Sequence, residues 1–299
     1  MVAVPALRLL RRALPDAPCV LYGPAWVRDV PGFPVLPPPA GDAPRPIDDV
    51  PLHASGGSPS PLVLVNLHGR GPESHARLDA LVPDGAVARR IGHAAPGWDG
   101  PPWTDDPTRP ERRRWCDLLA ACGLVSPDEA ASAADDLRLP EPPPPNVGTG
   151  VTVIHPGAAF GSKRWPVERF AAVAGALADA GHDVVVTGGA DEVALTRRVP
   201  GRDLAGRTSI GDLCRLVAHA RLVIAGDTGI AHVATAYGTP SVTLFGPVGP
   251  EQWGPPLDPR HVTLTDPSVR RGERFADRPD PALLAIGVQE VLNAAVTVS

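Results

Sequence analysis

Between residues 151 and 247 the sequence repeats one pattern. "VTVIHPG", "HDVVVTGG", "RLVIAGD" and "PSVTLFGP" are short, nearly unbroken runs of Val, Ile and Leu, each closed by Gly, Pro or Asp. Between them lie the helical stretches "PVERFAAVAGALADAG", "DEVALTRRV", "IGDLCRLVAHA" and "GIAHVATAYG". A strand that is apolar on both faces must be covered on both faces, and a helix between successive strands supplies that cover only if the strands run parallel. The pattern therefore predicts an α/β domain of Rossmann type. In such sheets ligands bind beyond the carboxyl ends of the strands, where the Gly, Pro and Asp residues fall here.

The first half carries weaker signals. "APCVLYG" and "PLVLVNLHG" read as buried strands, Leu7, Leu10 and Leu14 share a helical face, and "ERRRWCDLLAACGL" suits a helix ending near Gly123. The proline-rich stretch "LPEPPPPNVGTG", residues 139–150, is a stiff connector, and it predicts two α/β domains, 1–145 and 146–299. A closing helix is expected over "PALLAIGVQEVLNAAV".

Charge narrows the function. The net charge is −5 and the arginines are dispersed except at Arg112–Arg114, so no basic face for nucleic acid is indicated. Cys19, Cys116, Cys122 and Cys214 form neither a CxxC pair nor a zinc-spaced cluster and read as small, reduced core residues. No apolar run reaches the roughly 20 residues of a membrane span, and the first residues lack a signal-peptide core. A cytoplasmic protein is expected.

Three strand ends hold residues suited to an anionic ligand. After "VTVI" comes "HPGAAFGSKRWP", containing Lys163, the only lysine in a chain that otherwise uses arginine. A compact three-donor ammonium kept at one position suggests that a planar guanidinium would not serve there; the competing account is a solvated loop lysine. After "RLVIAG" come Asp227, Thr228 and Gly229, opening a helix whose free amides can hold phosphate, with His232 on its first turn. Asp227 as a plain N-cap is the alternative. After "DVVVT", Glu192 falls in a helix's first turn, where a ribose contact and simple dipole stabilisation weigh equally. "LVLVNLHGRGPES" imitates a dinucleotide fingerprint, with Arg89 and Arg90 at the ribose-reader distance, but Ser74 replaces the third glycine and Pro72 removes an amide. It is read as an ordinary strand-to-helix turn, with His68 and Arg70 toward the ligand side. No P-loop, GxSxG, HExxH or Asp-x-Asp motif is present, so no metal or prosthetic group is expected.

"HPGAAFGSKRWPVERFAAVA", "VVVTGGADE" and "LAGRTSIGDLCRLVAHARLVIAGDTGIAHVATAYGTPSVTLFGPVGPEQWGP" resemble glycosyltransferase family 9, the heptosyltransferase family, strongly over 151–256 and more loosely before. The resemblance implies the GT-B architecture of two Rossmann-like domains facing a cleft. It implies an inverting transfer of heptose or a similar sugar from a nucleotide-sugar donor, ADP-heptose-like, to the hydroxyl of a glycan, glycolipid or small-molecule acceptor in cell-envelope biosynthesis. By the same resemblance Lys163 contacts the diphosphate, Thr228 and Gly229 hold it, Asp227 and His232 lie near the phosphate and the transferred sugar, and Glu192 binds ribose. Peripheral contact with the inner face of the cell membrane would follow from a lipid-linked acceptor. The family's presumed general base, an Asp after the first strand, would lie upstream of Met1, which predicts a truncated start and weak activity; Asp29, His53 and His68 are substitutes without distinguishing spacing. The rival readings are a catalytically impaired nucleotide-sugar-binding GT-B protein and a dehydrogenase using the Gly69 turn.

Overall fold

The computed structural model describes residues 1–15, 17, 30, 62–82, 88–98 and 100–298. The strand expected over "APCVLYG", Cys19, Asp29 and His53 lie outside the described residues. The described residues of 2–28 and 33–136 form one compact unit, and those of 1, 29–32 and 137–299 form the other.

In the first unit, helix α1 (Val4–Ala13) buries Leu7, Leu9 and Leu10 in a core shared with Trp115, Leu118 and Leu119 of α3 (Glu111–Ala121) and Ala130 and Ala133 of α4 (Pro127–Ala133). Strands β1 (Leu62–Val65) and β2 (Ala88–Ile91) run parallel, with α2 (Glu73–Asp79) between them in sequence. The helix boundary of α4 is set by a reciprocal cap: Ser126 accepts from the Glu129 amide while the Glu129 carboxylate accepts from the Ser126 amide. Sequence patterning missed α4 and β2.

Two histidines of this unit are buried without full partners. His75 stacks on Trp98 at 4.1 Å, and among the described residues neither of its ring nitrogens has a hydrogen-bond partner; His93 uses Nδ1 toward the Pro101 carbonyl, and its Nε2 has no partner among them. Burial lowers both pKa values below the ordinary histidine value. The unfolded chain therefore binds protons that the folded chain refuses, so stability is complete above the unfolded pKa, about 6.5. It falls as pH drops below that value. The melting temperature is expected to decrease between pH 7 and pH 5.5, and His75→Phe, which keeps the ring stack, should flatten that decrease; an unaltered slope would contradict this account.

The second unit is built on a six-stranded, wholly parallel sheet in the order β5-β4-β3-β6-β7-β8. Its elements in chain order are β3 (Thr152–His155), α5 (Val167–Asp179), β4 (Val184–Val186), α6 (Val193–Thr196), β5 (Arg202–Asp203), α7 (Ile210–Ala218), β6 (Leu222–Gly226), α8 (Gly229–Tyr237), β7 (Ser241–Leu244), α9 (Pro250–Trp253), β8 (His261–Leu264), α10 (Pro281–Ala285) and α11 (Val288–Val298). From β3 the chain winds outward through β4 to β5, returns through α7, and from β6 winds the other way. With right-handed crossovers, reversing direction moves the covering helices to the opposite face. The loops leaving β3 and β6 thus part at a topological switch point, the place where α/β sheets bind ligands.

The core explains the order. Ile154, Val184, Val186, Leu222, Ile224, Val242 and Leu244 of the strands meet Phe170, Val173 and Leu177 of α5 and Val291 and Ala295 of α11. The expected closing helix is divided into α10 and α11 at Ile286 and Gly287. At the break, the Ile286 carbonyl accepts from Trp165 Nε1 at 3.2 Å and from Arg169 at 2.7 Å, and the Leu284 carbonyl accepts from Arg169 at 2.7 Å. Helix carbonyls lost to the break are thereby satisfied by side chains. The stretch "DEVALTRRV" forms a short 3₁₀ turn, Ala190–Glu192, before α6 rather than one helix.

Candidate functional site

The loop after β3 turns through a 3₁₀ segment, Gly161–Lys163, and is tied down from behind. Ser162 donates its amide to the Ala276 carbonyl and its hydroxyl to the Arg274 carbonyl, at 2.8 and 2.7 Å. That tie places Lys163 over the end of β6. The approach is close: a Cβ on Gly226 would lie 3.1 Å from the Lys163 carbonyl, so a side chain there would press on the loop.

Asp227 follows directly. Its amide donates to the Leu244 carbonyl at 3.0 Å, extending the β6–β7 ladder by one residue and fixing where its carboxylate stands. Lys163 Nζ donates to Asp227 Oδ2 at 2.8 Å; the aspartate side chain is 7% exposed and the lysine 25%. Lys163 and Asp227, predicted separately, are therefore one ion pair. Thr228 then takes extended geometry as the N-cap of α8 without capping through its hydroxyl, and Gly229 is the first helical residue. The first amides of a helix lack intrahelical acceptors and carry its positive dipole end, so an anion is favoured there. His232, one turn along α8, lies 6.2 Å ring-to-ring from Trp253 of α9. Burial holds its pKa down to about 4, so its imidazole is neutral at pH 7.

Glu192 sits at the neighbouring strand end. Its Oε2 accepts from the Gly189 amide at 2.8 Å, the contact expected of simple stabilisation at a helix start, and also lies 4.0 Å from His155 Nε2. His155 and Gly157 were not singled out in the sequence as site residues, although both stand in the "HPG" that closes β3. Their partners come from strand pairing rather than from sequence distance.

His68 and Arg70 belong to the first unit. His68 donates its amide to the Asn66 side chain, and Arg70 forms an exposed pair with Asp105 at 3.7 Å. Gly69 and Gly71 of the same loop take positive φ, 71° and 76°, and a Cβ on Gly71 would strike the His75 ring. This loop is packed against its own helix, as an ordinary strand-to-helix turn is. No helix among the described residues is long and apolar enough to cross a membrane.

The family model of glycosyltransferase family 9 (heptosyltransferase) matches residues 114–273, more than half of the chain. The chain belongs to glycosyltransferase family 9. Lipopolysaccharide heptosyltransferase 2 of Escherichia coli (strain K12) is 37% identical over 46% of this family 9 chain and 43% of its own length. The match thus spans less than half of that curated relative. Among solved structures, the family 9 protein from Veillonella parvula DSM 2008 superposes with a TM-score of 0.71 at 19% identity, covering 99% of this chain and 92% of that one. The E. coli ADP-heptose lps heptosyltransferase II gives 0.65 at 19% identity, covering 99% and 94%. The fold is α/β, of the GT-B type that these chains share.

Proposed function

We propose that this family 9 chain is an inverting glycosyltransferase that moves a heptose or similar sugar from an ADP-activated donor to an acceptor hydroxyl. The observation that carries the reading is the convergence of Lys163 and the α8 N-terminus at the switch point between β3 and β6. A nucleotide sugar leaves as a nucleoside diphosphate, whose negative charge grows as the glycosidic bond breaks. A fixed ammonium and fixed helix amides stabilise that charge without reorganising at the moment of reaction.

In this reading Lys163 neutralises the diphosphate, and Thr228 and Gly229 hold it through helix-start amides. Asp227 keeps the ammonium in place beside the phosphate, and the neutral His232 lies toward the transferred sugar. Glu192 accepts from the nucleotide's ribose. Residues 146–299 form the nucleotide-sugar domain and 1–145 the acceptor side. The acceptor is a glycan, glycolipid or small molecule, and the protein works in the cytoplasm, at the inner face of the membrane if that acceptor is lipid-linked.

The test is calorimetry with ADP alongside an assay of ADP release from ADP-heptose, with and without a panel of sugar acceptors. Micromolar binding of ADP and acceptor-dependent release support the reading; a chain that binds no ADP refutes it. With an ammonium and helix amides on the diphosphate, release is expected to persist in EDTA. Complete loss, restored by magnesium or manganese, would assign that work to a metal.

A further inference from the structure

A carboxylate recognises a ribose only if it is held with an oxygen to spare, and the ends of β3 and β4 do this for Glu192. His155 is the last residue of β3, and Thr187 follows β4 with its amide donating to the Ile154 carbonyl at 2.9 Å, which brings the two side chains together. His155 Nδ1 lies 3.0 Å from Thr187 Oγ1, and Nε2 lies 4.0 Å from Glu192 Oε2. Burial lowers the pKa of His155, so the ring carries a single proton at neutral pH. If that proton were on Nδ1, the Nε2 lone pair would face a carboxylate. With Thr187 donating to Nδ1, the proton sits on Nε2 and points its positive end at Glu192, which is the favourable tautomer.

Gly157 completes the seat. A Cβ at this position would fall on the Glu192 carboxylate itself, so any other residue would displace it. Oε2 is engaged by the Gly189 amide at 2.8 Å, while Oε1 accepts no hydrogen bond among the described residues. A purely capping glutamate would need neither an imidazole beside it nor a glycine beneath it.

Resting on the proposed donor, the geometry points to His155 and Gly157 as positioning residues that fix the Glu192 carboxylate so that Oε1 accepts from the ribose hydroxyls of the nucleotide. The residues set the preference for a ribose diol over a deoxyribose; they do not touch the reacting atoms.

The experiment is titration calorimetry of the full chain with ADP and with 2′,3′-dideoxy-ADP. The wild-type chain is expected to bind ADP about tenfold or more tightly than the dideoxy nucleotide, the range of hydrogen bonds to a charged acceptor. His155→Ala and Gly157→Ala should each leave dideoxy-ADP affinity unchanged and bring ADP down to the same level. His155→Gln, which keeps an N–H donor, should recover part of the difference. His155→Ala combined with Glu192→Ala should be no worse than Glu192→Ala alone, because both remove one interaction. Undiminished preference for ADP in His155→Ala and Gly157→Ala overturns the inference. So does an equal loss of both nucleotides, which marks a structural role only. A wild-type chain that binds neither nucleotide instead overturns the proposed donor, and the inference with it.

Discussion

Lys163→Ala is expected to weaken ADP binding by roughly 10- to 100-fold, the worth of a charge-assisted contact of about 1.5–3 kcal/mol. The substitution acts twice. It removes the ammonium that would meet the diphosphate, and it strands the Asp227 carboxylate, only 7% exposed, without its cation 2.8 Å away. A buried charge without a partner is costly, so the nucleotide-free variant should also melt lower than the wild type. Lys163→Arg should restore only part of the affinity: the guanidinium is planar, and the close packing of the Lys163 carbonyl over Gly226 limits how far the loop can move to accommodate it. ADP titrations of the three proteins decide the matter. Equal affinities would mean that the lysine is a loop residue and that the anion site lies elsewhere.

The largest effect on stability is expected at Trp165. The residue is 2% exposed, and its ring meets Phe170 edge-to-face at 4.9 Å and donates from Nε1 to the Ile286 carbonyl. Trp165→Ala opens a large cavity between β3, α5 and the α10–α11 break and leaves that carbonyl with fewer donors. The cost should be about 3–5 kcal/mol in urea unfolding of the nucleotide-free chain. Trp165→Phe, which keeps much of the volume but not the N–H, should lose far less. If Trp165→Ala cost under about 1 kcal/mol, the ring could not be the link between the lysine loop and the C-terminal helices.

How much of this could be read from residues alone follows from where each element sits. β3, β4, β6 and β7 are flanked by other strands and buried along nearly their whole length, so their runs are dominated by Val, Ile and Leu, interrupted only by small or hydroxyl residues such as Thr152, Ser241 and Thr243, and stand out. β5 has two residues, and β8 repeats the apolar spacing of β7 but is half-buried along its length and runs on into Thr265 and Asp266 where β7 runs on into Phe245; both are edge strands with little in their residues to mark them. The α10–α11 break was invisible because its cause, donation by Trp165 and Arg169, comes from more than 110 positions away. In the site, Lys163 was legible because it departs from the chain's own habit of using arginine, and Thr228 and Gly229 because a strand, a breaker and a helix follow in order. What the sequence could not show was pairing. Lys163 meets Asp227 across 64 positions and His155 meets Thr187 across 32, distances that only the β3–β6 and β3–β4 ladders close.

The order of strands also governs which parts of the second unit should open first. β3 and β6 occupy the middle of the sheet, while the two-residue β5 and the half-exposed β8 form its margins. Regions with few buried contacts open at low free energy, and central strands open only with the whole unit. In native-state hydrogen exchange, amides of β5 and β8 should exchange through local fraying, while those of Val153, Ile154, Val223 and Ile224 should wait for global unfolding. Because Lys163, Asp227 and the start of α8 hang from the slow pair, the margins can breathe without loosening the anion site.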